Sequence, residues 1–161
     1  MLEQDVRYLK FKTFLSFYCP HCKKTFNVER QNERSLLFNA KYHENDFEIR
    51  LSPYLDVFEV KASYPLNDGE VLDDLICPQC KKSIINTEVR CADCGSKVGE
   101  AIVSAYAKLI PFYFCLKYGC HWHGITREDE RFIKLKIPRQ AMPEQDQLVR
   151  TSNFQEVPYG Y

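Results

Sequence analysis

Cys77-Pro78-Gln79-Cys80 and Cys91-Ala92-Asp93-Cys94 are two Cys-x-x-Cys pairs with ten residues between them, and they decide how the fold is read. In such a knuckle both thiols turn towards one point, and backbone N–H groups of the same turn can donate to the sulfurs. Two facing knuckles place four thiolates at the corners of a tetrahedron, which suits zinc at about 2.3 Å with no open position. Lys81 and Lys82 follow the first pair and Gly95 the second. They stand where the backbone must turn, and the lysines offset thiolate charge. The residues between, Ser83 to Arg90 above all, are read as a short hairpin, the architecture of a zinc ribbon.

Four more cysteines flank this set. Cys19-Pro20-His21-Cys22 repeats the knuckle with its trailing Lys23-Lys24, whereas Cys115 and Cys120 enclose a wider loop whose Gly119 can take a positive φ. With Cys77, Cys80, Cys91 and Cys94 complete, economy pairs Cys19 and Cys22 with Cys115 and Cys120. That pairing would clip the two ends of the chain together and make metal binding part of the folding free energy. Two zinc ions are expected, with rubredoxin-like iron or an iron–sulfur centre as the alternative, since thiolates accept either. His121 or His123 could replace Cys120, but four cysteines suffice without them. His21, between two ligands, and His43, in a polar stretch, are read as solvated, and Trp122 as a cover over the second site.

Composition narrows the function classes. The 161 residues are 45% hydrophobic and 14% aromatic, enough for a core. Twenty-two basic and twenty-two acidic residues cancel, and the isoelectric point is near 6.9. Nucleic-acid binding leans on a basic excess, so the neutral balance argues against it. No apolar run approaches the roughly 18–20 residues of a membrane span. The opening Met1-Leu2-Glu3-Gln4-Asp5-Val6 has neither the basic nor the apolar region of a secretory signal. A cytoplasmic, reducing setting is therefore expected, which favours metal over disulfides.

The rest of the chain reads as mainly β, with α+β as the alternative: two knuckle sites of zinc-ribbon or rubredoxin type on small antiparallel sheets. Leu9, Phe11, Leu15 and Phe17 give strand patterning before the first knuckle. The polar Glu29–Arg34 run is expected as a solvated loop or short helix face. Asp46–Ser52 alternates cleanly, with Phe47, Ile49 and Leu51 on one side, and should pair with a strand over Asp56–Ser63. Asn67-Asp68-Gly69 is turn chemistry. Val98–Leu109 is read as a strand, Pro111 as an interruption, Phe112–Phe114 as a short strand, and residues 124–137 as ending in an edge strand.

Residues 1–137 thus form a double zinc-ribbon domain, and 138–161 an extended linker with little periodicity and no core of its own. Within that linker, Arg139 to Asp146, Arg150, Asn153 to Val157 and Gly160-Tyr161 resemble the linker near the start of proteins related to the glutamate synthase small subunit. Those are NAD(P)H-dependent flavoproteins in which such a stretch precedes a cysteine-rich iron–sulfur domain. The resemblance implies an assembly or docking module of an NAD(P)H-linked oxidoreductase, with a flavoprotein or iron–sulfur partner. The family's Gly-x-Gly-x-x-Gly phosphate turn and its cluster motif are absent from this chain.

No nucleophile–base motif stands out, so no catalytic residue is assigned. The competing readings are an electron-transfer module and a nucleic-acid-binding ribbon.

Overall fold

The computed structural model describes residues 11–141. Its elements in chain order are β1 (Phe11–Thr13), β2 (Ser16–Tyr18), β3 (Asn27–Arg30), β4 (Glu33–Tyr42), β5 (Asn45–Leu51), β6 (Val60–Ala62) and β7 (Asp74–Ile76). There follow β8 (Ile85–Arg90), β9 (Lys97–Ala105), β10 (Lys108–Cys115), β11 (His123–Gly124), α1 (Arg127–Lys136) and β12 (Arg139–Ala141). The mainly β reading holds.

Two five-stranded sheets are built to one plan. In the first, the long strand β4 pairs with β5 on one side, and on the other with β3 at residues 33–36 and β7 at 39–41. In the second, β9 pairs with β10 on one side, and on the other with β8 at 97–99 and β2 at 102–104. β6 extends β5 outward as β11 extends β10. Each short inner strand belongs to one sheet while the strand after its knuckle belongs to the other. β2 leads through Cys19–Cys22 into β3, and β7 leads through Cys77–Cys80 into β8.

The equivalence reaches single hydrogen bonds. Phe26 N donates to Phe17 O as Ile84 N donates to Leu75 O, both at 2.9 Å. The bridges Tyr18–Thr25 and Ile76–Ser83 match as well.

The sheets close on an aromatic core. Phe38 of β4 lies 4.5 Å from Phe26 and 5.8 Å from Phe114 of β10, whose ring also meets Phe17 and Phe112. Leu36, Phe38, Val98, Val103 and Ile110 have no exposed surface. Their alternation along β4, β9 and β10 is the period-two pattern of strands with one buried face.

Several expectations are corrected. The polar run 29–34 is not a loop or helix: Gln31 and Asn32 take φ of +51° and +68° and turn β3 into β4 as a two-residue hairpin. The strand expected over 56–63 shrinks to Val60–Ala62, though it does pair antiparallel with β5. Val98–Leu109 splits at Tyr106, whose φ is +56°, so Val98, Ala101, Val103 and Ala105 are buried while Leu109 is exposed.

Pro111 does not interrupt β10. It faces Ile102 three pairs beyond the hairpin end, where alternation points its nitrogen away from β9, and there a residue without N–H blunts an open edge.

Residues 127–136 form a helix where an edge strand was expected. Thr126 caps it, its hydroxyl accepting from Asp129 N at 3.0 Å. Glu128, Asp129 and Glu130 occupy the first turn, Lys134 and Lys136 the last, and Ile133 is its buried residue. Charges so placed favour a helix over a strand. Arg139–Ala141, at the start of the stretch read as linker, pairs with Phe11–Thr13. The remainder of that stretch, which carries most of the family resemblance, lies outside the described residues.

Candidate metal centres

Three knuckles share one backbone form. In the first, Lys23 N donates to Cys19 O and Cys19 N to Lys24 O, each at 2.9 Å. In the second, Lys81 N donates to Cys77 O at 2.9 Å and Cys77 N to Lys82 O at 3.0 Å. In the third, Gly95 N donates to Cys91 O at 2.9 Å and Cys91 N to Ser96 O at 3.0 Å. The turn requires a left-handed residue after the second cysteine, and Lys23, Lys81 and Gly95 have φ of +67°, +65° and +79°. Backbone N–H groups aim at the sulfurs: His21 N lies 3.3 Å from Cys19 Sγ, and Gln79 N 3.3 Å from Cys77 Sγ.

The fourth pair is different. Its six-residue loop from Cys115 to Cys120 is turned by Gly119 at φ +92° and tied to β9 by Leu116 N donating to Lys97 O.

The pairing of knuckles departs from the economical one. Cys19, Cys22, Cys77 and Cys80 form one group, and Cys91, Cys94, Cys115 and Cys120 the other, the sulfurs of each lying within 4.8 Å of one another. The two central knuckles do not face each other. The stretch between them is not a hairpin but the single strand β8, which carries the chain from one site to the next. The two ends of the described residues are joined by β1 and β12 instead.

Site one sits where both segments cross between sheets. Site two is built on the β8–β9 turn, at the place of the two-residue Gln31-Asn32 turn in the other sheet.

The geometry fits a tetrahedral thiolate centre. Sulfurs about 2.3 Å from a central ion stand about 3.8 Å apart. The observed separations are 3.8 Å for Cys19–Cys80 and for Cys22–Cys77, 3.7 Å for Cys91–Cys120 and 3.5 Å for Cys94–Cys115. All eight cysteines are free, and these separations far exceed the roughly 2.05 Å of a disulfide.

Burial favours the neutral thiol at most of these cysteines. Burial pushes Cys77 up to about 12 and raises Cys19, Cys115 and Cys120. Cys22 is lowered, chiefly by the backbone N–H of Lys24, and Cys94 is lowered to about 6, chiefly by the Ser96 hydroxyl 3.2 Å away. A metal ion binding here would displace the protons of the raised thiols, so its affinity would fall at low pH.

None of the histidines belongs to either group. His21 points outward, its Nε2 3.0 Å from Ser83 O. His43 is exposed, as expected, and its ring also stacks on Tyr42 at 3.9 Å. His121 stacks on Phe58 at 5.6 Å, and His123 is packed among Phe58, Phe112 and Phe114 with its Nδ1 unpartnered. Trp122 lines a small cleft with Cys115 and Cys120.

A larger cavity, also lined by Phe58, had no sequence signal, because its walls come from segments far apart in the chain. Among the described residues, no helix is long and apolar enough to cross a membrane. Comparison with family models, curated proteins and solved structures gives no match.

Proposed function

We propose that this chain is a non-catalytic zinc-binding module. The observation that carries the reading is that each group gathers four cysteine sulfurs within 4.8 Å of one another, a complete ligand set for a closed, four-coordinate zinc site. Cys19, Cys22, Cys77 and Cys80 would hold one ion, and Cys91, Cys94, Cys115 and Cys120 the other. Zinc supplies cross-links where the backbone alone makes few. Thiolate zinc centres go with a reducing, cytoplasmic setting.

The module's role, on this reading, is assembly with a flavin- or iron–sulfur-containing, NAD(P)H-linked oxidoreductase, supported by the resemblance carried by residues 139–161. Copurification with such a partner tests that part. A chain that stays alone when the partner is supplied counts against it.

Electron transfer is the second reading. It is favoured by the matched N–H donors at Cys19 and Cys77, the arrangement that tunes an iron–thiolate centre. Elemental analysis and the visible spectrum of the anaerobically purified chain separate the two. Two zinc per chain without colour supports the structural module, and iron with visible absorption replaces it by the electron carrier.

A further inference from the structure

The fourth knuckle is also a wall. Cys115, Gly119 and Cys120 line one side of a cavity of about 230 Å³ left where the two sheets fail to close, and Leu51, Val60 and Leu75 line the other. Phe58 and Phe114 add aromatic faces. An apolar cavity of about 150 Å³ is enough to hold a benzene ring, so this space admits a small organic molecule.

Charges of both signs line the cavity, Asp68 and Lys117. The Asp68 carboxylate lies against the bare backbone of Gly119, where an added Cβ would stand 3.0 Å from Oδ1. It has no hydrogen bond or ion pair among the described residues. Behind the wall, Cys115 and Cys120 belong to a zinc–tetrathiolate centre of net charge minus two, a point that rests on the zinc reading. Lys117 is the one cation among the lining residues and leaves the balance negative. Aromatic faces beside a carboxylate are the surroundings in which an organic cation is stabilised.

We propose that this cavity binds a small amphipathic amine, its aromatic or branched body between Leu51, Leu75 and Phe114 and its ammonium group against Asp68. Since the fourth knuckle forms the wall, metal at site two and amine in the cavity stabilise the same loop. Each then tightens the other.

The test is titration of the full, metal-loaded chain with 2-phenylethylamine, 3-phenylpropionate and propylbenzene, followed by amide NMR shifts. The amine should produce saturable shifts at Leu72, Cys115 and Tyr118 with a millimolar-range constant, and the carboxylate should bind about tenfold more weakly or worse. Asp68→Asn should weaken the amine about tenfold and leave propylbenzene unchanged.

Equal binding of amine and carboxylate overturns the proposal. So does the absence of saturable shifts up to about 10 mM amine. Nuclear Overhauser contacts from residues 142–161 to Val60 or Leu72 in the amine-free protein would give the cavity to the chain's own terminus and overturn it too. Metal content measured on the same sample keeps the two readings apart. A chain without metal fails the zinc reading, and a chain with two ions that takes no amine fails this one alone.

Discussion

Cys22 Sγ and Cys77 Sγ stand 3.8 Å apart across 55 positions of sequence, and the contact joins two segments that are each in transit between sheets. β2 enters the first knuckle from the sheet that β8 joins after the second, and β7 enters the second from the sheet that β3 joins after the first. Site one is therefore a staple at a double crossover. Its loss releases both sheets from each other, not one hairpin from its neighbour.

Paired substitutions read this connectivity directly. Cys22→Ser with Cys80→Ser removes two ligands from one site and should leave one metal per chain. Cys22→Ser with Cys120→Ser cripples both and should leave none. Native mass spectrometry counts the ions. A chain carrying one metal after the second pair of changes would restore the economical pairing and contradict the structure.

His123 gives the fold a pH dependence of its own. Burial among three phenylalanines lowers it from the ordinary 6.5 to about 4, Asp56 opposing the shift weakly and His121 adding to it. The unfolded chain thus takes the proton first, so stability falls as pH drops from about 6.5 and levels off below about 4. By pH 5 the loss is about 2 kcal/mol. His123→Phe also removes a buried nitrogen without a partner and should flatten this dependence. Denaturant unfolding at pH 7 and pH 5, with metal content monitored, checks it. An unchanged slope in the variant would assign the acid sensitivity to the thiolates alone.

The knuckles were legible in the sequence because their geometry is local: two cysteines, a turn, and a residue that accepts positive φ. Their partnership was not, since it depends on which sheet each flanking strand enters. β8 shows why. Ser83–Arg90 has the length of a tight hairpin, yet as one extended strand it spans the distance from one site to the other. The Asp46–Ser52 alternation was readable because Ile49 is buried and its neighbours are less so. Phe132 to Ile137 alternates too, but the Thr126 cap and the graded charges of α1 outweigh that pattern, and Leu135 is left exposed.

Gly124 holds the single tryptophan in place. A Cβ there would come within 2.5 Å of Trp122 Cη2 and 2.8 Å of Tyr113 Cβ. Tyr113 is fixed by its strand, so the indole must move. Gly124→Ala should cost about 1–3 kcal/mol and shift the tryptophan emission. As Trp122 is the chain's one tryptophan, the spectrum reports this residue's surroundings alone, and with both sites metal-loaded the change isolates the Gly124 contact. Unaltered emission with full stability would mean that the indole does not pack against β11.

The two centres should release metal in a fixed order. Site one buries Cys19 and Cys77 to within 1% of complete, while Cys94 of site two is exposed. The Ser96 hydroxyl holds the Cys94 thiol near 6, so once it leaves the metal it remains a thiolate at neutral pH, open to attack. A thiol-reactive mercurial should therefore free one metal equivalent quickly and the second slowly. Trp122, beside Cys115 and Cys120, should respond in the fast phase. Cys94→Ser should start with one metal and show only the slow phase. Release of both ions in a single phase would mean that the sites open together, and that the crossover staple gives site one no independent stability.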